Sequence, residues 1–279
     1  MYASTVRGLL VRGMLAGLIA GLFAFTVAYV VGEPPVRGSI AVEEAQAAKD
    51  AASAPSAHAG HGGDAASGEA AEEEEEELVG RPVQSTVGLA TGVLVYGVAL
   101  GGIASLAFSF ALGRVGRFSP RATAALTGAG AFALVYLVPF LKYPATPPAV
   151  GNPDTIGQRT TLFFLMILLS VLLGVGAIIL GRRLAPRVGN WNATLTAGAG
   201  FIVAAAVAFV ILPDNNDAVQ AGFPAALLWE FRVASLAVQL VLWTVFAIVF
   251  GVLAQRLLAA RNEDAEADAP AQQEAPALG

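Results

Sequence analysis

Apolar residues gather along this chain in six long stretches, roughly Val11–Val31, Val87–Leu112, Ala122–Leu141, Leu162–Leu180, Leu195–Leu212 and Val233–Ala254. No charged residue stands in the central turns of any of them. A helix rising about 1.5 Å per residue needs about 20 such residues to cross about 30 Å of hydrocarbon. Helices satisfy their own backbone hydrogen bonds, which makes them the default structure for the crossing. The pattern predicts an all-α integral membrane protein with six transmembrane helices arranged as three hairpins.

The first stretch has a basic approach like that of a signal peptide. Its apolar run is longer than usual, however, and it ends at Val30-Val31-Gly32-Glu33-Pro34 without an Ala-x-Ala site. The expectation is that it is kept as a span. Composition agrees with a membrane protein: 56% of residues are hydrophobic and 13% are charged. Cysteine is absent, which excludes disulfides and thiolate metal sites.

The net charge of −5 says less than where the charges fall. Ten of the basic residues flank the predicted inner ends (Arg7, Arg12, Arg114, Arg117, Arg121, Arg182, Arg183, Arg187, Arg256, Arg261) and six lie on the other face. The acids divide the opposite way, 16 outside and 5 in the tail. The positive-inside rule then places both termini in the cytoplasm and three large loops outside.

The three hairpins share a plan. Spans 1, 3 and 5 are rich in Gly and Ala and meet Pro34-Pro35, Pro139 and Pro213 near the outer surface, while spans 2, 4 and 6 end near Arg. Small residues let helix backbones approach closely in lipid, so spans 1, 3 and 5 are expected to be the inner, tightly packed helices. A parallel internal repeat and chance self-similarity of apolar text both remain open.

The domain reading follows. Residues 1–31 form the first span, and residues 32–86 an outer loop of Ala, Gly, Ser and Glu expected to be flexible. Residues 87–256 form a five-helix membrane domain with ordered outer loops at 142–161 and 213–232, whose Pro and Asn-Pro signals mark fixed turns. Residues 257–279 are an acidic tail expected to be disordered.

Candidate chemistry is sparse. The two histidines, His58 and His61, stand near Asp64 in a Gly/Ala-rich stretch. Imidazole and carboxylate suit divalent cobalt, nickel, copper or zinc, with nickel and copper favoured over cobalt by intrinsic affinity. Ordering the stretch costs about 1–2 kcal/mol per residue, so its affinity should be modest; two chance histidines in a solvated linker are the plain alternative.

Glu72–Glu77 form an unbroken run of carboxylates that concentrates cations at the outer mouth, or simply solubilises a linker. The acids closest to the membrane are Glu33, Asp154, Asp214, Asp217 and Glu230. Symmetric packing of the hairpins would bring them to one outer vestibule, with Arg159 and Arg232 as partners; taken singly, each also suits a turn cap or ion pair. Within the spans, Thr26 and Gln239 are the candidate pathway residues. Intramembrane Asp, Glu, His or Arg, the usual marks of an ion path, do not occur.

No motif of an enzyme, a phosphate loop or a zinc protease is present. An enzyme is not expected, nor a nucleic-acid partner.

The first span ending at Glu33-Pro34, the loop with His58 and His61, the Pro-rich Lys142–Arg159 and the run from Pro213 together carry a resemblance. That run continues through Gly222-Phe223-Pro224-Ala225, Leu228-Trp229 and Phe231-Arg232-Val233-Ala234-Ser235. The chain resembles the CbtA family of predicted cobalt transporter subunits over roughly residues 1–256. The resemblance implies a multi-pass component of the cytoplasmic membrane that takes up Co²⁺ for cobalamin biosynthesis. It also implies a small CbtB partner with one span and a His-rich segment. Cobalt is then the substrate, membrane lipid the surroundings, and no resident cofactor is expected. The family has about five spans, one fewer than counted here. Transport of another metal such as nickel, and a non-transporting metal chaperone or assembly scaffold, are the alternatives.

Overall fold

The computed structural model describes residues 3–53, 80–148, 150, 155–215, 219 and 222–267. The fold is helical throughout, with no strand among these residues. Five helices are long and apolar enough to cross a membrane.

Helix α1, Ala3–Val27, presents a buried face of small residues: Gly13, Ala16, Gly17, Ala20, Gly21 and Ala24. A π-helical segment, Ala28–Gly32, carries it without a break into α2, Glu33–Ser53. After the short α3, Arg81–Val83, and a second π segment, Gln84–Gly88, comes α4, Leu89–Ala111. Its buried glycines Gly97 and Gly101 lie on α1. A Cβ added to Gly97 would stand 2.5 Å from the Gly17 carbonyl oxygen, and one on Gly13 2.6 Å from that of Gly101. The two backbones therefore touch, and any side chain at these positions would drive them apart.

Gly113, with φ 72°, turns the chain after α4. Helix α5, Pro120–Ala131, then starts with both of the usual devices: Pro120 in the first turn, and Ser119 accepting from the Ala122 N–H at 3.2 Å. A third π segment, Phe132–Leu137, joins it to α6, Val138–Lys142.

Proline accounts for two of the π segments. A proline inside a helix lacks an N–H and crowds the carbonyl four residues earlier. For Pro34 and Pro35 those carbonyls belong to Val30 and Val31, and for Pro139 to Val135, all within π segments. The wider turn makes room for the ring. Pro34, Pro35 and Pro139 thus sit inside continuing helices, where the sequence pattern had read the ends of spans.

Helix α7, Ile156–Ile211, is 56 residues long and holds two of the expected spans. It is not one rod. Gly189 has φ 80° and ψ 158°, a combination that essentially only glycine adopts. On either side of it the halves lie together, for a Cβ on Gly181 would stand 3.3 Å from that of Ala197. Along a straight helix those residues would be about 24 Å apart.

Helix α8, Ala225–Ala267, packs on both α1 and α5. It supplies Trp243, Phe246 and Phe250 to the core, where Phe250 meets Phe108 of α4 edge-on at 5.0 Å between ring centroids. Further along α8, Arg261 donates to Ser4 Oγ and Thr5 Oγ1 at 2.8 and 2.7 Å. The start of α1 and the last turns of α8 are therefore side by side.

The expected set of inner helices needs correcting. Helix α1 is central and α5 packs on α8, but the second half of α7, the expected fifth span, lies at the periphery with Val210 86% exposed. Its place in the interior is taken by α8, whose aromatic side chains fill the space that small residues leave elsewhere. Residues 33–53, expected to be flexible, are helical, and the tail is helical as far as Ala267.

The glycine contact yields a test. Gly97→Ala should lower thermal stability in detergent by about 1–3 kcal/mol, the usual range for overpacking. Gly92→Ala, on the same helix with open space around it, should show no loss in the same melting experiment.

Candidate functional site

Two ion-paired clusters stand at the end of the bundle away from the contact of Arg261 with Ser4 and Thr5. Glu33, the first residue after the Ala28–Gly32 segment, is 5% exposed. Its Oε1 accepts from Arg81 Nη2 at 2.8 Å and from Arg37 Nε at 3.4 Å. Arg37 lies one helical turn along α2, while Arg81 comes from the beginning of α3. The contact therefore ties the two ends of the outer loop together at the membrane surface.

The second cluster joins the ends of α6 and α7. Lys142 pairs with Asp214, and the Tyr143 hydroxyl donates to the Pro213 carbonyl at 2.8 Å. Arg232 of α8 donates from Nε to the Ala145 carbonyl at 3.3 Å. Lys142, Tyr143, Asp214, Asn215 and Arg232 line a cleft of ≈ 300 Å³. Among the described residues that line it, Lys142 and Arg232 stand against the single carboxylate of Asp214, a balance that does not suit a bare metal cation. Burial raises the Tyr143 pKa; the Lys142 ammonium works against the shift and the Asp214 carboxylate adds to it.

Of the other predicted residues that the structure describes, Glu230 and Thr26 do not join these clusters. Glu230 is exposed on α8. Thr26 is exposed and donates to the Leu22 carbonyl of its own helix at 3.0 Å. His58, His61, Asp64, Asp154 and Asp217 lie outside the described residues, as does the Glu72–Glu77 run. Among the described residues no three of His, Asp and Glu come together as metal ligands.

Gln239 is different. It lies in the membrane part of α8, and its Nε2 donates to the Tyr96 hydroxyl of α4 at 3.4 Å, a weak contact. The Tyr136 hydroxyl, from the Phe132–Leu137 segment, is beside Ser235 and Tyr96. Neither it nor Gln239 Oε1 nor Trp243 Nε1 has a partner in hydrogen-bonding geometry, and all three atoms are buried. The sequence reading picked out Gln239 and passed over both tyrosines and Trp243. The available signal was a phenol, in place of a phenyl ring, at a mid-span position.

The family described as "Probable cobalt transporter subunit (CbtA)" matches residues 6–255 of the chain, which takes in every long apolar helix. The chain belongs to the CbtA family. Membership and the five apolar helices together make it a multi-pass membrane protein of a family of transporter subunits. A subunit implies at least one partner chain. No curated protein and no solved structure matches it.

Both clusters can be tested. Glu33→Gln removes the charge that holds a partly exposed Arg81 and should cost about 1–3 kcal/mol of thermal stability. The loss on combining it with Arg81→Gln should fall short of additive, because the two residues share one interaction. For Tyr143, the folded phenol titrates above its ordinary 10.0. Below pH 10 its contribution to stability is constant; above it the unfolded chain loses its proton first, and stability falls until the folded phenol also ionises. The alkaline drop in melting temperature should be smaller in Tyr143→Phe.

Proposed function

We propose that the chain is the membrane subunit of a Co²⁺ uptake route serving cobalamin biosynthesis, working in the cell membrane with a small single-span, His-containing CbtB-like partner. The observation that carries this reading is the family match across residues 6–255.

In this reading the chain crosses the membrane six times with both termini in the cytoplasm. The side-by-side halves of α7 and the meeting of Arg261 with Ser4 and Thr5 support an even number of crossings. The concentration of arginine on the turns after α4 and around Gly189 supports the orientation.

The acidic run Glu72–Glu77 gathers cations at the outer face. His58, His61 and Asp64 hand the ion on, and Asp154, Asp217 and Glu230 replace part of its hydration. Glu33 and Asp214 act differently, since each stands in an ion pair. They fix the outer ends of the helices against which the mobile ion is passed. The partner contributes further imidazoles to a path that has no ionisable group of its own.

The test is radiolabelled Co²⁺ accumulation in cells lacking their own high-affinity uptake. Such cells would express the chain alone, the chain with the partner, or the His58→Ala/His61→Ala variant with the partner. The expected outcome is uptake that excess nickel does not abolish and that falls several-fold in the double variant. Absence of uptake in every combination, with the chain confirmed in the membrane, would replace transport with the role of a scaffold or metal chaperone.

A further inference from the structure

Among the described residues, the buried polar atoms Tyr136 Oη, Gln239 Oε1 and Trp243 Nε1, which lack a partner in hydrogen-bonding geometry, belong to one seam. Ser235, Gln239 and Trp243 recur every four residues and so share one face of α8. Tyr96 of α4 and Tyr136 of the Phe132–Leu137 segment stand against that face. Gln239 lies six residues in from Val233, about 9 Å at the rise of a helix, and Tyr136 is as far from Lys142. The groups are thus at matching depth, in the outer third. Further in, the seam closes on Phe108, Phe246 and Phe250, all at most 2% exposed, with Phe250 stacked on Phe246 and edge-on to Phe108.

As drawn together, these groups stabilise the fold poorly. One long hydrogen bond is set against the buried Gln239 Oε1 and Trp243 Nε1, which have no partner and cost about 1–3 kcal/mol each, and against a Tyr136 hydroxyl whose approach to Ser235 falls short of hydrogen-bonding geometry. The helix of Tyr136 is also in its π form, a departure from the α-helix that often marks functional sites. Its Leu134 carbonyl accepts from Ser170 of α7, so the segment is held from the side away from its own helical ladder.

The donor set is neutral and almost entirely oxygen: two phenols, a hydroxyl and an amide. Neutral oxygen cannot offset the desolvation of a bare divalent ion. It does suit an ion that keeps its water, whose hydrogens point outward and seek acceptors such as Gln239 Oε1. Weak holding of this kind allows an ion to leave as well as arrive.

We propose that the seam between α4, the Phe132–Leu137 segment and α8 is the outer half of the ion route. Tyr96, Tyr136, Ser235 and Gln239 form an intramembrane station for a water-bearing divalent cation, and the phenylalanine stack closes it on the inner side. The choice of cobalt as the cation rests on the function proposed above; the station itself rests on the seam. The route therefore runs along α8, away from Thr26.

Trp243 is one turn, about 6 Å, below Gln239 along α8, and reports on the station directly. The experiment uses the full chain with Trp191→Phe and Trp229→Phe, so that Trp243 is the single tryptophan, and with His58→Ala and His61→Ala to silence the outer loop. Purified into nanodiscs, it is titrated with Co²⁺, whose quenching acts over short distances. The expected result is quenching that saturates. Gln239→Leu should weaken the half-saturating concentration at least about tenfold, and Gln239→Glu, which adds a charge, should tighten it about as much.

The emission maximum of Trp243 without metal checks that each variant is folded. A variant whose maximum shifts is replaced by Tyr136→Phe, which keeps the ring and should weaken quenching in the same direction. Quenching that rises linearly with Co²⁺, or that is equal in all folded variants, would overturn the station. Saturable, variant-sensitive quenching in a chain that accumulates no cobalt in cells would overturn the transport reading alone.

Discussion

Where α1 crosses α4, two backbones are in contact, and the rest of the bundle depends on that contact. Lipid tails are as apolar as leucine, so burying leucine between helices gains little in a membrane; close packing has to provide the attraction. Gly13, Gly17, Gly97 and Gly101 provide it by removing their own side chains from the line of contact, where only the small Ser105 stands against Gly13. The other helices are added in sequence around this pair. Helix α8 packs along α1 from Gly8 beside Leu257 to the bonds of Arg261. It also carries α5, through Gly128 against Ala247. Helix α7 is attached last, through Ser170 and Gly174 at Leu134. The larger side chains of α1, among them Val11, Leu22 and Phe23, are left on the lipid side.

Much of this was legible in the sequence, because length and hydropathy alone define a helix that must cross hydrocarbon. The small-residue face of the first span was legible for the same reason. Two things were not. Pro34, Pro35 and Pro139 mark helix ends in water, but here a π turn absorbs each ring and the helix goes on. Residues 33–53 have little to bury, which argues for a flexible loop, yet they are rich in Ala and Glu, strong helix formers that need only an existing helix to extend. Starting from α1, that nucleus is already present.

The candidate sites divide along the same line. Glu33 and Asp214 stood out as acids near the membrane surface, and both are at the outer end of the bundle. Their partners were not legible, because Arg81 and Lys142 reach them across 48 and 72 residues of chain. A symmetric vestibule presumed that three hairpins pack alike. They do not, because α7 folds back on itself at the edge of the bundle while α8 takes the interior. Gln239 was legible as the amide of an otherwise apolar span. Tyr96 and Tyr136 were not, since a tyrosine in an apolar run reads as one more aromatic until a second polar group appears beside it.

Two seams of opposite character meet on this bundle. Along α1 and α4 the polar atoms of the contact are satisfied within α1 and α4 themselves, the backbone groups by their helical ladders and the Ser105 hydroxyl by the Gly102 carbonyl at 2.7 Å, and the surfaces fit to within the width of a missing methyl group. Water gains nothing by entering there, and separating the helices would lose every close contact at once. Between α8 and the two tyrosines the balance is reversed. Gln239, Tyr136 and Trp243 keep polar atoms that hydrocarbon cannot satisfy, and the bond from Gln239 to Tyr96 across the seam is 3.4 Å long. Opening this seam gives up little and lets water reach three groups that lack a partner when it is closed. A bundle held rigid at α1 and α4 but cheap to open along α8 has, in its own energetics, a preferred place for something polar to pass.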